Sequence, residues 1–201
     1  MDKKAMKKLF FSNKMTVVCT ILLMVIILAS LLAPLSPYDP DAVNVAEKLE
    51  EVSKTHILGT DELGRDTFTR ALYGGRVSLM VGFAAMCVAV VIGTLIGTLS
   101  GFKGGKVDMV CMRVVDVFLS VPSLLFIIVV YSFMPRNMVT LVFMLASFSW
   151  TRVARVVRAQ TLTLKERDFV LAANALGVRQ KTIIWRHIIP NLMPQIIVAA
   201  S

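Results

Sequence analysis

Charge is scarce in this chain, as are the residues that build soluble catalytic sites. Only 17% of its 201 residues are charged and 8% aromatic, against 56% hydrophobic, and the mean hydropathy is +0.73. That balance excludes an ordinary soluble domain. The three cysteines, Cys19, Cys87 and Cys111, lie in or beside three different apolar runs without ligand spacing, which argues against a disulfide framework or a zinc site. Nucleotide hydrolysis lacks its loop. The chain's single Gly-Lys pair, Gly105-Lys106, has Ser100 where a phosphate-binding loop needs its first glycine, and Val107 where it needs a hydroxyl. Neither a Gly-x-Ser-x-Gly nor a His-Glu-x-x-His motif occurs, so no catalytic or metal residue is assigned and no enzyme activity is expected. A net charge of +9 could suit nucleic acid, but the basic residues flank apolar runs instead of forming one patch. That distribution points to membrane lipid.

What is present is a series of apolar spans. Residues 1–14 are basic, with Lys3, Lys4, Lys7, Lys8 and Lys14 against Asp2. Met15 to Ala33 then runs uncharged, and at helical pitch it rises about 28 Å, enough to cross a bilayer with slight thinning. A cleaved signal peptide is the rival reading, but the run is long for one and Pro34 stands where cleavage would be wanted. The lysines place the N-terminus in the cytoplasm.

Residues 34–75 form the extracytoplasmic segment, with eight acidic and four basic residues, net −4. Within it Thr60 or Asp61 is positioned to cap an interfacial helix that Gly74-Gly75 would end near Tyr73, with Leu63, Phe68, Ala71 and Leu72 toward the membrane. The run His56-Ile-Leu-Gly59-Thr60-Asp61-Glu-Leu-Gly64-Arg65-Asp66 resembles the H-x-L-G-T-D-x-x-G-R-D signature of one permease subunit of peptide and nickel importers. One histidine among carboxylates is a weak metal site, so capping and packing are the roles expected of it.

Residues 76–201 contain the remaining spans. Val77 to Phe102 is uncharged, and Ala85, Ala89, Gly93, Gly97 and Gly101 recur every four residues, a ridge of small side chains that lets another helix approach closely. Lys103-Gly-Gly-Lys106 is a short inside turn. The third span, about Val107 to Met134, carries Asp108, Arg113 and Asp116 at its start and Pro122 as a kink point; Arg113 and Asp116 are spaced to pair. After Arg136-Asn137 a helix continues inward through Trp150, Arg152, Arg155 and Arg158, the arginines snorkelling to the inner headgroups. Arg152 to Arg186 carries eight basic and two acidic residues, net +6, and is placed inside.

Residues 159–190 stand out in that inside region. Asp168 opens a short helix that Gly177 ends, and a second follows with Ile183, Ile184, Ile188 and Ile189 on one side until Pro190 stops it. Ala172-Ala173, Gly177 and Ile189-Pro190 are spaced as in the EAA loop of permeases of ATP-binding-cassette (ABC) importers, where E-A-A, three residues, G, nine residues, I-x-L-P recurs. Leu171, His187 and Ile189 depart from that pattern; Asp168 or Glu166 stands near for the missing carboxylate. Trp150-Thr-Arg-Val-Ala-Arg155 and Leu164-Lys-Glu-Arg-Asp-Phe169 extend the resemblance.

The resemblance implies an all-α polytopic transmembrane bundle of the MetI-like ABC importer type, multi-pass in the plasma or inner membrane. It implies a second permease subunit as heterodimer partner, two ATP-binding subunits docking at the coupling loop, and an extracytoplasmic solute-binding protein. ATP would bind the partner subunits, leaving this chain without a cofactor. Peptides are the expected cargo, nickel the alternative. Leu192 to Ser201 is apolar but about 15 Å long, too short to cross, so the chain is expected to be an incomplete permease.

Overall fold

The computed structural model describes residues 13–200 and divides the chain into two compact units, residues 1–80 and 81–201. The lysines of residues 1–12 and Ser201 lie outside the described residues.

In the first unit α1 spans Lys14–Leu31, capped by Asn13, whose side chain accepts from the Met15 amide at 3.1 Å. A turn of 3₁₀-helix at Ala33–Leu35, started by Pro34, leads into the outer segment, where a second one covers Val45–Glu47. Helix α2 begins at Thr67 and runs unbroken to Lys103, so the interfacial helix expected to end at Gly74-Gly75 is instead the first part of a long one. The reason lies in packing. Gly75 faces Ser30, whose hydroxyl occupies the space a Cβ would need. Gly75 thus lacks room for a side chain, Gly74 has open space around it, and both sit inside the helix with no turn required of them. Ser36 and Thr69 join the two ends at 2.6 Å.

In the second unit α2 packs on α5, Met138–Lys165, along the small-residue ridge. A Cβ added to Gly93 would stand 2.6 Å from Val153 Cβ, one on Gly97 2.5 Å from the Ala154 carbonyl oxygen, and one on Gly101 2.8 Å from the Arg158 carbonyl oxygen. Ala89 is buried with Trp150, Ala154 and Val115. Helices α3, Gly105–Ser120, and α4, Ser123–Ser132, are bent by 77° at Val121-Pro122, where the pre-proline residue takes the extended conformation that proline favours. The expected third span is therefore two helices, not one continuous one.

Two short elements follow, α6 (Asp168–Ala175) and α7 (Gln180–Ile183), then a π-helix, Ile184–Ile188, and α8, Ile189–Ala200. Pro190 was expected to stop this run, and it does not. The Ile189 amide bonds back to the Ile184 carbonyl, five residues away, and this wider turn clears the carbonyl that a proline ring would otherwise strike. Residues Gln180–Ala200 therefore form 21 residues of nearly continuous helix with hydropathy 1.2, long and apolar enough to cross, in place of the ten-residue stub expected at the end. Four helices meet that test of length and composition, or five counting the bent pair.

The ridge makes a quantitative expectation. Gly97→Val would drive a branched side chain into the Ala154 carbonyl, and overpacking of this kind costs about 1–3 kcal/mol. Thermal unfolding in detergent should shift down accordingly. Gly82→Ala, where a Cβ meets nothing within 4 Å, should be neutral or stabilising. Equal behaviour of the two variants would remove the ridge from the packing of α2 on α5.

Candidate functional site

The coupling-loop candidates sit on a two-helix knob. Helix α6 ends in a Schellman motif: Gly177, at φ +73°, donates to the Asn174 carbonyl at 3.0 Å, and Val178 donates to Ala173 at 3.1 Å. Only glycine takes that left-handed conformation without strain. The knob is anchored from beneath: Val170, Ala173, Ile183, Ile188, Leu192 and Ile196 are buried in one cluster with Val153 and Val157 of α5. Its other side is open. Asp168, Ala172, Gly177 and Pro190 are exposed, with Leu176 at 83% and Leu171 at 52%. The candidates thus divide: Ala173 holds the knob, whereas Asp168, Ala172 and Gly177 face outward. Ile189 and Pro190 lie beyond the π-turn, at the start of α8.

Each residue of the outer motif has a structural partner. Gly59 and Gly64 adopt φ +69° and +71°, and a Cβ on either would run into the backbone carbonyl of Glu50 or Asn44. The Thr60 hydroxyl donates to the Glu47 carbonyl and accepts from the Glu50 amide at 2.8 Å. Asp61 accepts from the amides of Leu63 and Arg65 and from the Arg65 side chain at 2.8 Å. The helix cap was expected at Thr60 or Asp61. It is Asp66, whose Oδ1 accepts from the Thr69 amide at 2.7 Å while Oδ2 accepts from His56 Nδ1 at 2.9 Å. His56 and Asp66 are both buried, at 5% each. The cap moves because residues 60–66 close a tight loop, bridged between Thr60 and Asp66, before the helix can begin.

Ion pairs between α3 and α5 were not legible in the sequence. Asp108 takes both the Nε and Nη2 of Arg158, at 2.5 and 2.6 Å, and accepts from Ser100. Asp116 pairs with Arg155 at 2.6 Å, not with Arg113. The three-residue spacing of the arginines was a signal, but partners 39 and 50 residues away in sequence could not be matched to it.

A helical chain with four helices long and apolar enough to cross, a bent helix pair and an anchored two-helix knob is a multi-pass membrane protein. The model for the binding-protein-dependent transport system inner membrane component matches residues 93–201, and that for the N-terminal transmembrane domain of oligopeptide transport permease C matches residues 4–51. The chain belongs to the family of binding-protein-dependent transport system inner membrane components. It is 39% identical over 193 residues to the oligopeptide transport system permease protein OppC of Bacillus subtilis, covering 96% of this chain and 63% of that protein. It is 40% identical over 198 residues to OppC of Escherichia coli K12, covering 97% and 66%, and 36% identical over 187 residues to the dipeptide permease DppC of Bacillus subtilis, covering 92% and 58%. The chain thus spans about three fifths of the length of these relatives.

Acid should loosen the outer motif. The Arg65 side chain holds the Asp61 carboxyl down to about 2 from 3.8, against a desolvation effect and with help from the Arg65 and Leu63 amides. Burial works to raise Asp66, but the Thr69 amide and the His56 ring outweigh it and hold the carboxyl below its ordinary value. Both carboxyls are depressed on folding, so their contribution is complete above the unfolded value and is lost as pH falls through the folded one. Pepsin cleavage of the detergent-solubilised protein within residues 44–66 should therefore stay low at pH 4.5 and climb between about pH 4 and about pH 2. Asp66→Asn should already be cleaved at pH 4.5. A wild-type segment that resists down to pH 2 would show that these carboxylates do not hold it.

Proposed function

We propose that this chain is a transmembrane subunit of a peptide-importing ABC transporter. It forms part of the translocation path, paired with a second permease subunit, and is driven by ATP hydrolysis on two separate subunits. The observation that carries this reading is similarity to oligopeptide and dipeptide permeases over more than nine-tenths of the chain. Those relatives favour peptides over nickel as cargo. A solute-binding protein would deliver the peptide outside, as the family's name indicates. The chain holds no cofactor; ATP stays with the partner subunits. The knob formed by α6, Gly177 and α7 is the surface those subunits engage. An exposed apolar tip with a buried base suits insertion into a cleft, because the tip gains contacts on docking while the base keeps its geometry.

The N-terminus lies in the cytoplasm, on the strength of net charges of −4 over residues 34–75 and +6 over Arg152 to Arg186. With Cys19, Cys87 and Cys111 replaced, an impermeant thiol reagent applied from outside should label Val45→Cys and miss Gln180→Cys. The opposite labelling would reverse the orientation.

Gly177 tests the coupling role. No atom lies within 4 Å of an added Cβ, so a side chain here would strain the backbone without striking this chain. That strain is about 1–2 kcal/mol, and about 1.4 kcal/mol of lost docking energy is tenfold in affinity. In the assembled transporter Gly177→Val should leave membrane insertion intact and lower ATPase association and peptide uptake together, about tenfold. Unchanged uptake by a normally assembled complex would remove the coupling role from this loop.

A further inference from the structure

Arg152 stands apart from the two arginines that follow it on α5. Arg155 and Arg158 each meet an aspartate of α3, at 2.6 and 2.5 Å. In the wall it shares with Arg152, α3 contributes Phe118 and Leu119 and no third carboxylate. Among the described residues Arg152 has no ion-pair partner. Its side chain instead lines a cavity of about 680 Å³, together with Gly82, Phe118, Pro122, Phe148 and Ser149. That volume lies within the range of small-molecule sites. Among the described residues Arg152 is the one charged side chain in the wall.

Its position along the helix matters as much as its neighbours. Arg152 is near the middle of the 28-residue α5, about 20 Å from either end at 1.5 Å per residue. Fourteen uncharged residues, 138–151, precede it, so it stands toward the inner end of the apolar part of α5, where an exposed guanidinium can face a polar path. The break between α3 and α4 at Val121-Pro122 forms part of the same wall. Irregular backbone at membrane depth is tolerated where it lines a cavity.

We propose that Arg152 recognises the terminal carboxylate of the transported peptide within the translocation path. This rests on the peptide-importer reading above. The guanidinium presents a planar fork matched to a carboxylate, and it keeps its charge at every physiological pH. A cavity with one cation among apolar, aromatic and hydroxyl side chains (Ser123, Ser149 and Thr151) suits ligands that share one anion and differ elsewhere. Linear peptides are such a class, since each carries a C-terminal carboxylate whatever its side chains. Arg152 is exposed to the cavity, so the contact is hydrated and weak enough to release.

The test uses the complete transporter, with its ATP-binding subunits and solute-binding protein, in proteoliposomes. Uptake of trialanine is compared with uptake of trialanine amide for wild type, Arg152→Gln and Arg152→Lys. The solute-binding protein is the same throughout, so its own preference cancels. The ratio of KM for amide over acid should fall about tenfold in Arg152→Gln, the size expected for one charge-assisted hydrogen-bonded contact. Arg152→Lys should keep part of the ratio. A merely structural role would lower both uptakes alike and leave the ratio unchanged, which would overturn the proposal. Should Arg152→Gln fail to assemble, Ser149→Cys leaves Arg152 in place. Trialanine should then slow maleimide labelling at residue 149 more than its amide does, and equal protection would overturn the proposal. A wild-type complex that moves neither peptide would overturn the importer reading itself, and this inference with it.

Discussion

The close approach of α2 to α5 is the contact on which residues 81–200 depend. In a hydrocarbon medium apolar side chains gain little by leaving lipid, so helices associate through contact density and polar pairing. Gly93, Gly97 and Gly101 supply the first by letting Val153, Ala154 and Arg158 lie where side chains would otherwise stand. Polar pairing follows from the same arrangement: Ser100, one residue before Gly101, reaches Asp108, which also holds Arg158. Trp150 closes the other end against Phe118, edge on at 5.5 Å. Because Val153 and Val157 also form the base on which the knob rests, the ridge fixes the geometry of the knob at one remove.

The outer motif is a second instance of sequence identity dictated by backbone geometry. Two left-handed glycines, one hydroxyl and two aspartates close a loop whose polar atoms are spent on one another. His56 and Asp66 resemble part of a ligand set in sequence. In the fold Asp66 spends one oxygen on His56 and the other on the first turn of α2, a capping role worth about 1 kcal/mol in helices generally.

The apolar spans, their order and the Schellman end of α6 were readable because each rests on local pattern: uncharged runs of the right length, small residues at a four-residue period, a glycine at C′. Other features were misjudged or missed, each for a physical reason. Gly74-Gly75 carries a helix-stop composition, but whether a glycine ends a helix or admits a neighbour depends on what stands opposite, here Ser30. Pro190 breaks an α-helix by rule, yet a π-turn changes the rule without leaving a residue-level signal. The partners of Asp108 and Asp116 are set by tertiary register, which pairs Asp116 with an arginine 39 residues away instead of the one three residues before it.

The π-turn also bears on how the proposed knob would work. From Gln180 to Ala200 the chain runs as nearly continuous helix, so α7 and α8 are joined without a flexible linker. Gly177 is the left-handed joint on the other side, between α6 and α7. A push on the tip formed by Leu171 and Leu176 therefore meets two different connections. Toward α5 it is taken up by Val170 and Ala173, packed in the shared core. Toward the apolar end it passes through residues 184–188, where the hydrogen bonds span five residues. Ile188, fully buried two residues before Pro190, ties that turn to the core.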